Sequence, residues 1–127
     1  MARMAQPQFT VSVAVRPLPE HTDAAQQLYG YAYTVTIRNS GSITAQLIAR
    51  RWRITDHRGT EQAVNGLAVV GHQPLLKPGE QFDYTSWAQI ATPQGSMQGT
   101  FVCMTEDTDW FEVPVPEFAL ADTAALH

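Results

Sequence analysis

Leu76-Lys-Pro-Gly-Glu-Gln-Phe-Asp-Tyr84 decides the fold, because a rigid corner there runs straight into an alternating strand. Pro78 presets its own φ and Gly79 accepts a positive one, so residues 77–80 fit a type II turn. Beyond the corner, Phe82 and Tyr84 fall on one face of an extended segment. A fixed turn that sets the register of the next strand belongs between two strands of an antiparallel sandwich.

Outward from this corner, apolar residues recur at every second position, the period of half-buried strands. Phe9, Val11, Val13 and Val15 share one face of the first such segment. In the second, Tyr29, Tyr31, Tyr33, Val35 and Ile37 alternate with Gly30, Ala32, Thr34, Thr36 and Arg38. Pro17, Pro19 and the polar run 20–27 interrupt the pattern between them, which predicts a long surface connection with room for one helical turn over 23–28. Asn39-Ser-Gly-Ser42 is a loop by composition.

A third strand is expected over 47–56, with Ile48, Arg50, Trp52 and Ile54 on one face and Leu47, Ala49, Arg51, Arg53 and Thr55 on the other. An arginine on the Trp52 face does not suit a dry core, so Arg50 is expected to reach a rim or to pair with a carboxylate. Further strands are expected over 62–70, broken around Gly66, and over 81–90, 97–104 and 110–115, with turns at 56–59, 92–95 and 106–109. Seven or eight short strands and no helix of ordinary length predict an all-β antiparallel sandwich.

The 127 residues amount to one domain, and a domain of that size buries roughly two-thirds of the surface its unfolded chain exposes. A hydrophobic share of 44% with 16% charged residues is ordinary for a globular chain. The formal net charge of −4 argues against nucleic acid as a partner, since phosphate binding needs clustered Lys and Arg. Arg50, Arg51, Arg53 and Arg58 are the local exception, a basic patch in an acidic chain. Cys103 is the single cysteine and has no disulfide partner within the chain. The first residues lack the apolar run of a secretory signal, and no apolar stretch is long enough for a membrane span, so the expected location is cytoplasmic.

Six stretches taken together resemble the ApaG family of small bacterial proteins: Tyr33-Thr-Val-Thr-Ile-Arg-Asn39, Arg50-Arg-Trp-Arg-Ile-Thr-Asp56, Val69-Val-Gly-His-Gln-Pro74, Pro78-Gly-Glu-Gln-Phe-Asp-Tyr-Thr-Ser86, Thr92-Pro-Gln-Gly-Ser-Met-Gln-Gly99 and Val115-Pro-Glu-Phe-Ala-Leu120. The resemblance covers most of the chain and implies an immunoglobulin/fibronectin type III-like sandwich over 9–120, with flexible ends at 1–8 and 121–127. It implies a link to diadenosine polyphosphate hydrolysis through gene neighbourhood and to cobalt and magnesium tolerance through genetics. Where the domain is part of larger eukaryotic proteins it looks like a protein-interaction module. Family members often carry Gly-x-Gly-x-x-Gly before the Pro78 corner, but here the run is Gly66-Leu-Ala-Val-Val-Gly71. A dinucleotide fingerprint also needs a helix after its glycines, whereas His72-Gln-Pro74 follows, so a glycine-punctuated strand with a bulge is expected instead.

His21, His57, His72 and His127 share no metal-ligand spacing with one another or with Cys103, and zinc needs about four converging ligands. His21, His57 and His127 read as solvated loop residues. His72, beside Gly71 and Gln73-Pro74, sits at a turn that also qualifies as a binding rim. Glu106, Asp107, Asp109 and Glu112 read as a solvated hairpin tip in preference to a loose Mg²⁺ or Co²⁺ site. Ser86, Ser96 and Cys103 lack an activating context for nucleophilic catalysis, and Cys103 reads as a small buried hydrophobe. Trp87 falls opposite Phe82 and Tyr84 in the alternation, so it is expected to be exposed or to cover an edge, as an interface anchor does.

These readings predict a protein without enzymatic activity, cofactor or metal, acting on an unidentified protein partner. Its contact residues are expected among Arg50, Arg51, Arg53, Arg58, His72 and Trp87. The competing expectation is a regulator that binds a phosphate-containing ligand or nucleotide at the arginine patch, because arginine forks suit phosphate oxygens.

Overall fold

In the computed structural model residues 6–122 are described; of the expected flexible ends, 1–8 and 121–127, residues 1–5 and 123–127 lie outside them. Eight strands fill the described residues: β1 (Phe9–Asp23), β2 (Leu28–Asn39), β3 (Ala45–Asp56), β4 (Glu61–Leu67), β5 (Leu75–Leu76), β6 (Gln81–Ile90), β7 (Gly95–Thr105) and β8 (Trp110–Leu120). They form two antiparallel sheets. One has three strands in the order β1-β2-β6; the other runs β4-β3-β7-β8, with β5 paired to β3. Their stacking is the expected fibronectin type III-like sandwich, and the alternating side chains of β2, β3, β6 and β7 meet between the sheets.

Trp52 sits at the centre of that interior. Its ring stands edge-on to Phe101 at 5.6 Å, Tyr33 at 5.8 Å and Phe118 at 6.0 Å, the geometry that aromatic quadrupoles favour. Gly99 makes room for it from β7. A Cβ at Gly99 would lie 2.5 Å from the indole and 2.4 Å from the Arg51 carbonyl oxygen.

The corner at 77–80 closes as a turn: the Glu80 N–H donates to the Lys77 carbonyl at 2.9 Å, and Gly79 has φ 88°. Asn39, fully buried at the end of β2, anchors it. Its side-chain amide donates to the carbonyls of Ile43 and Leu76, each at 2.8 Å, and its own carbonyl accepts the Gly79 N–H at 2.8 Å. One residue, through side chain and backbone together, therefore ties the end of β2, the loop into β3 and the corner before β6.

Several boundaries differ from the sequence expectation. Pro17 and Pro19 do not end β1, which continues to Asp23, with Pro17 still opposite Tyr31. The reason is position: β1 is an edge strand, and a residue without an N–H is tolerated where no outer neighbour needs one. β8 is an edge of the other sheet and likewise runs past Pro114 and Pro116 to Leu120 instead of ending at Val115. The expected helical turn is a single 3₁₀ turn over Ala24–Gln26. Gln6 and Gln8, placed by sequence in a flexible end, are latched to the loop at 40–42, whose Ser40, Gly41 and Ser42 N–H groups donate to their carbonyls.

The break expected at Gly66 falls two residues later. β4 ends at Leu67, Ala68 has φ 68°, and Val69 and His72 exchange backbone hydrogen bonds of 2.8 and 2.9 Å around Val70 and Gly71. Val70 and Gly71 have φ of 49° and 79°. A two-residue loop with both φ positive is the type I′ hairpin turn that matches the twist of paired strands.

Candidate functional site

Strand alternation disperses the arginine patch. On β3, Arg51 and Arg53 point away from the interior, and each meets a carboxylate: Arg51 Nη2 lies 2.7 Å from Glu112 Oε1 on β8, and Arg53 Nε lies 3.8 Å from Glu61 Oε2 on β4. They border a shallow depression of about 560 Å³ on the outer face. Arg58 belongs to the turn after β3, where its backbone N–H donates to Asp56 Oδ1 at 2.9 Å. Arg50 alone points inward beside Trp52. The four guanidinium groups do not converge.

Of the two expectations for Arg50, a rim position or a carboxylate partner, it takes the rim of a cleft, with backbone as its partner. Its Nη1 donates to the carbonyls of Leu67 at 3.0 Å and Ala68 at 2.7 Å. The guanidinium fills the space over Gly66, where a Cβ would stand 3.0 Å from Nη1. The end of β4 leaves these carbonyls without a strand partner, and a charged donor satisfies them. Among the described residues Arg50 makes no ion pair.

His72 and Trp87 lie at separate places. The His72 ring leans on Phe82 at 5.4 Å, tilted by 52°. Trp87 is 51% exposed on the outer face of β6, with His21 stacked on it at 4.5 Å and 10°. His21 is therefore more than a solvated loop residue: the tip of β1 folds back over Gly30, and Gln89 Nε2 donates to the His21 carbonyl at 3.0 Å. Trp110, 60% exposed, went unnoticed in the sequence; its place at the first position of β8, beside the acidic hairpin tip, was the available signal.

Cys103 is fully buried, and burial pushes its thiol from its ordinary 9.0 up to about 12. A thiol so disfavoured as thiolate is a poor nucleophile. Among the described residues no three His, Cys, Asp or Glu side chains are placed to hold a metal ion together. No helix there is long and apolar enough to cross a membrane.

A cleft of about 360 Å³ opens between the edges of β4 and β6. Tyr33, Trp52, Ile54 and Met97 form its apolar wall, and Arg50, Gln62 and Ser86 its polar margin. Gln62 Nε2 bridges its mouth by donating to the Gln89 carbonyl at 3.3 Å. Next to the cleft, the buried Trp52 Nε1 and Tyr84 hydroxyl have no partner in hydrogen-bonding geometry among the described residues. The indole N–H lies close enough to the phenol to favour its ionised form, as does Arg50, but burial and Tyr33 outweigh both and raise the Tyr84 pKa.

The ApaG domain profile matches residues 19–105. Protein ApaG of Ralstonia nicotianae is 53% identical over 124 residues, 98% of this chain and all of that protein. Protein ApaG of Nitrosospira multiformis is 46% identical over the full length of both. A crystal structure of a Bordetella pertussis protein described as ApaA superposes with a TM-score of 0.89 at 52% identity, covering 92% of this chain and 95% of that one.

Proposed function

The chain belongs to the ApaG family, and on that premise we propose that it is a non-catalytic module that binds another protein in the cytoplasm. The observation that carries this reading is the asymmetry of the sandwich. One side is closed where β1 packs along β8, while on the other the edges of β4 and β6 stand apart around a cleft. Near that side Leu67 and Val70 are 73% and 56% exposed. Exposed apolar side chains beside unpaired strand edges are what partner proteins cover.

The same geometry weakens the phosphate reading. Arg51 and Arg53 already have carboxylates, and Arg50 lies apart from them on the inward face, so no cluster of guanidinium groups is left to grip a phosphate. The run 66–71 forms a strand end and hairpin turn, not the loop and helix N-terminus that hold a pyrophosphate. Links to diadenosine polyphosphates or to cobalt and magnesium then act through the partner. Affinity capture from the native cytoplasm, beside phosphoanhydride turnover assays on the pure protein, tests the proposal. A stoichiometric protein partner is expected; turnover with no partner reverses it.

A further inference from the structure

The two sheets differ in width. The strand order β4-β3-β7-β8 extends one strand beyond β6, so among the described residues no strand lies above the inward face of β4. Val64, on that face opposite Trp52, remains 37% exposed although its neighbour is buried. A fourth strand laid along the outer edge of β6, displacing Gln62 from the Gln89 carbonyl at one end, would cover Val64, the mouth of the cleft and the guanidinium of Arg50.

The edges are not equally guarded. β1 and β8 carry Pro17, Pro19, Pro114 and Pro116, which deny a hydrogen-bonding template to an incoming chain. β6 is 10 residues long with no proline and one charged side chain, Asp83. It is the longer of the two unguarded edges, since β4 has 7 residues.

Charge identifies what fits. Arg50 is the one ionisable cation at the cleft, it makes no ion pair among the described residues, and Nη1 alone is used by Leu67 and Ala68. Val64 and Gly66 are two residues apart on β4, and Arg50 fills the space above Gly66. Two residues are one period of a strand, about 6.6 Å, so a single added strand can present side chains to both places.

We propose that β6 receives an extended segment of a partner protein as an added strand, with an apolar side chain over Val64 and Trp52 and a carboxylate two residues away at Arg50. This mode takes affinity from main-chain hydrogen bonds and specificity from alternate side chains. It rests on the protein-binding reading and names where and by what chemistry the partner docks.

Selection of random octapeptides displayed on phage against the full chain tests it. Recovered peptides are expected to share an apolar residue and a carboxylate two positions apart. Replacing that carboxylate by lysine in the synthetic peptide should weaken binding about tenfold or more, the scale of one charge-assisted hydrogen bond. Amide shifts should concentrate in β6 and β4. Val64→Lys, a change at a partly exposed side chain, should abolish binding, and Arg50→Gln should remove the preference for the carboxylate. Recovery of no peptide, peptides indifferent to the lysine exchange, or shifts centred on β8 would overturn the proposal. A native partner captured equally by Val64→Lys and wild type would sink this docking mode while leaving the binding reading intact. Turnover without a partner would sink that reading itself.

Discussion

Arg50 and Ala68 are joined by a hydrogen bond of 2.7 Å from guanidinium to carbonyl, and this contact holds the hairpin after β4 against the body of the sandwich. Replacing Arg50 by methionine keeps the stem and removes the donor. The carbonyls of Leu67 and Ala68 then turn to solvent, at a cost of about 1–2 kcal/mol. Hydrogen exchange should accelerate at residues 67–72 and remain unchanged along β8.

Asn39 is a three-way tie with no exposed surface. Asn39→Ala leaves the carbonyls of Ile43 and Leu76 without their donor, so chemical denaturation should report a loss of about 2–4 kcal/mol. Asn39→Asp should not rescue it, because a carboxylate would face two carbonyl oxygens.

Val70 holds a β-branched side chain at φ 49°, in a turn position that asparagine fills without strain. Val70→Asn is expected to stabilise the protein by about 1 kcal/mol, read as a higher melting temperature. Ala68→Gly should move stability the same way, since Ala68 sits at φ 68°.

Gly99→Ala drives a methyl group into the Trp52 indole and the Arg51 carbonyl. Both neighbours are fixed by the sheet, and overpacking of this kind costs about 1–3 kcal/mol. Near-ultraviolet circular dichroism should change together with stability, because the Trp52 environment is what shifts.

Cys103 and Tyr84 have folded pKa values raised by burial, Cys103 to about 12. The folded state prefers their neutral forms. That preference is fully present below the thiol's ordinary 9.0 and is lost as pH rises toward about 12, so stability should fall across this window. Native Cys103 should resist thiol reagents at pH 8 and react once the chain is unfolded by denaturant.

What was legible in the sequence is what neighbouring residues decide among themselves. Pro78 and Gly79 define a turn from their own backbone preferences, and alternation placed Tyr33, Val35, Trp52 and Phe82 on inward faces. The arginine patch misled because proximity in sequence is not proximity of side chains: alternation sends Arg50 inward and Arg51 outward. Their partners, Ala68 and Glu112, lie 18 and 61 residues away. Asn39 looked like part of a polar loop, since the carbonyl that gives it a role is 37 residues distant. The strands expected to stop before Pro17 and Pro116 run on, because only the sheet order reveals that both prolines lie on outer edges. The turn at Val70-Gly71 had a two-residue signature, masked by valine where asparagine is usual.

Amide hydrogen exchange of the protein alone and with its captured partner bears most directly on the open side of the sandwich. Slowed exchange along β6, with β8 unaffected, is the predicted result. Protection confined to β8 or to the outer face around Arg51 and Arg53 would contradict it.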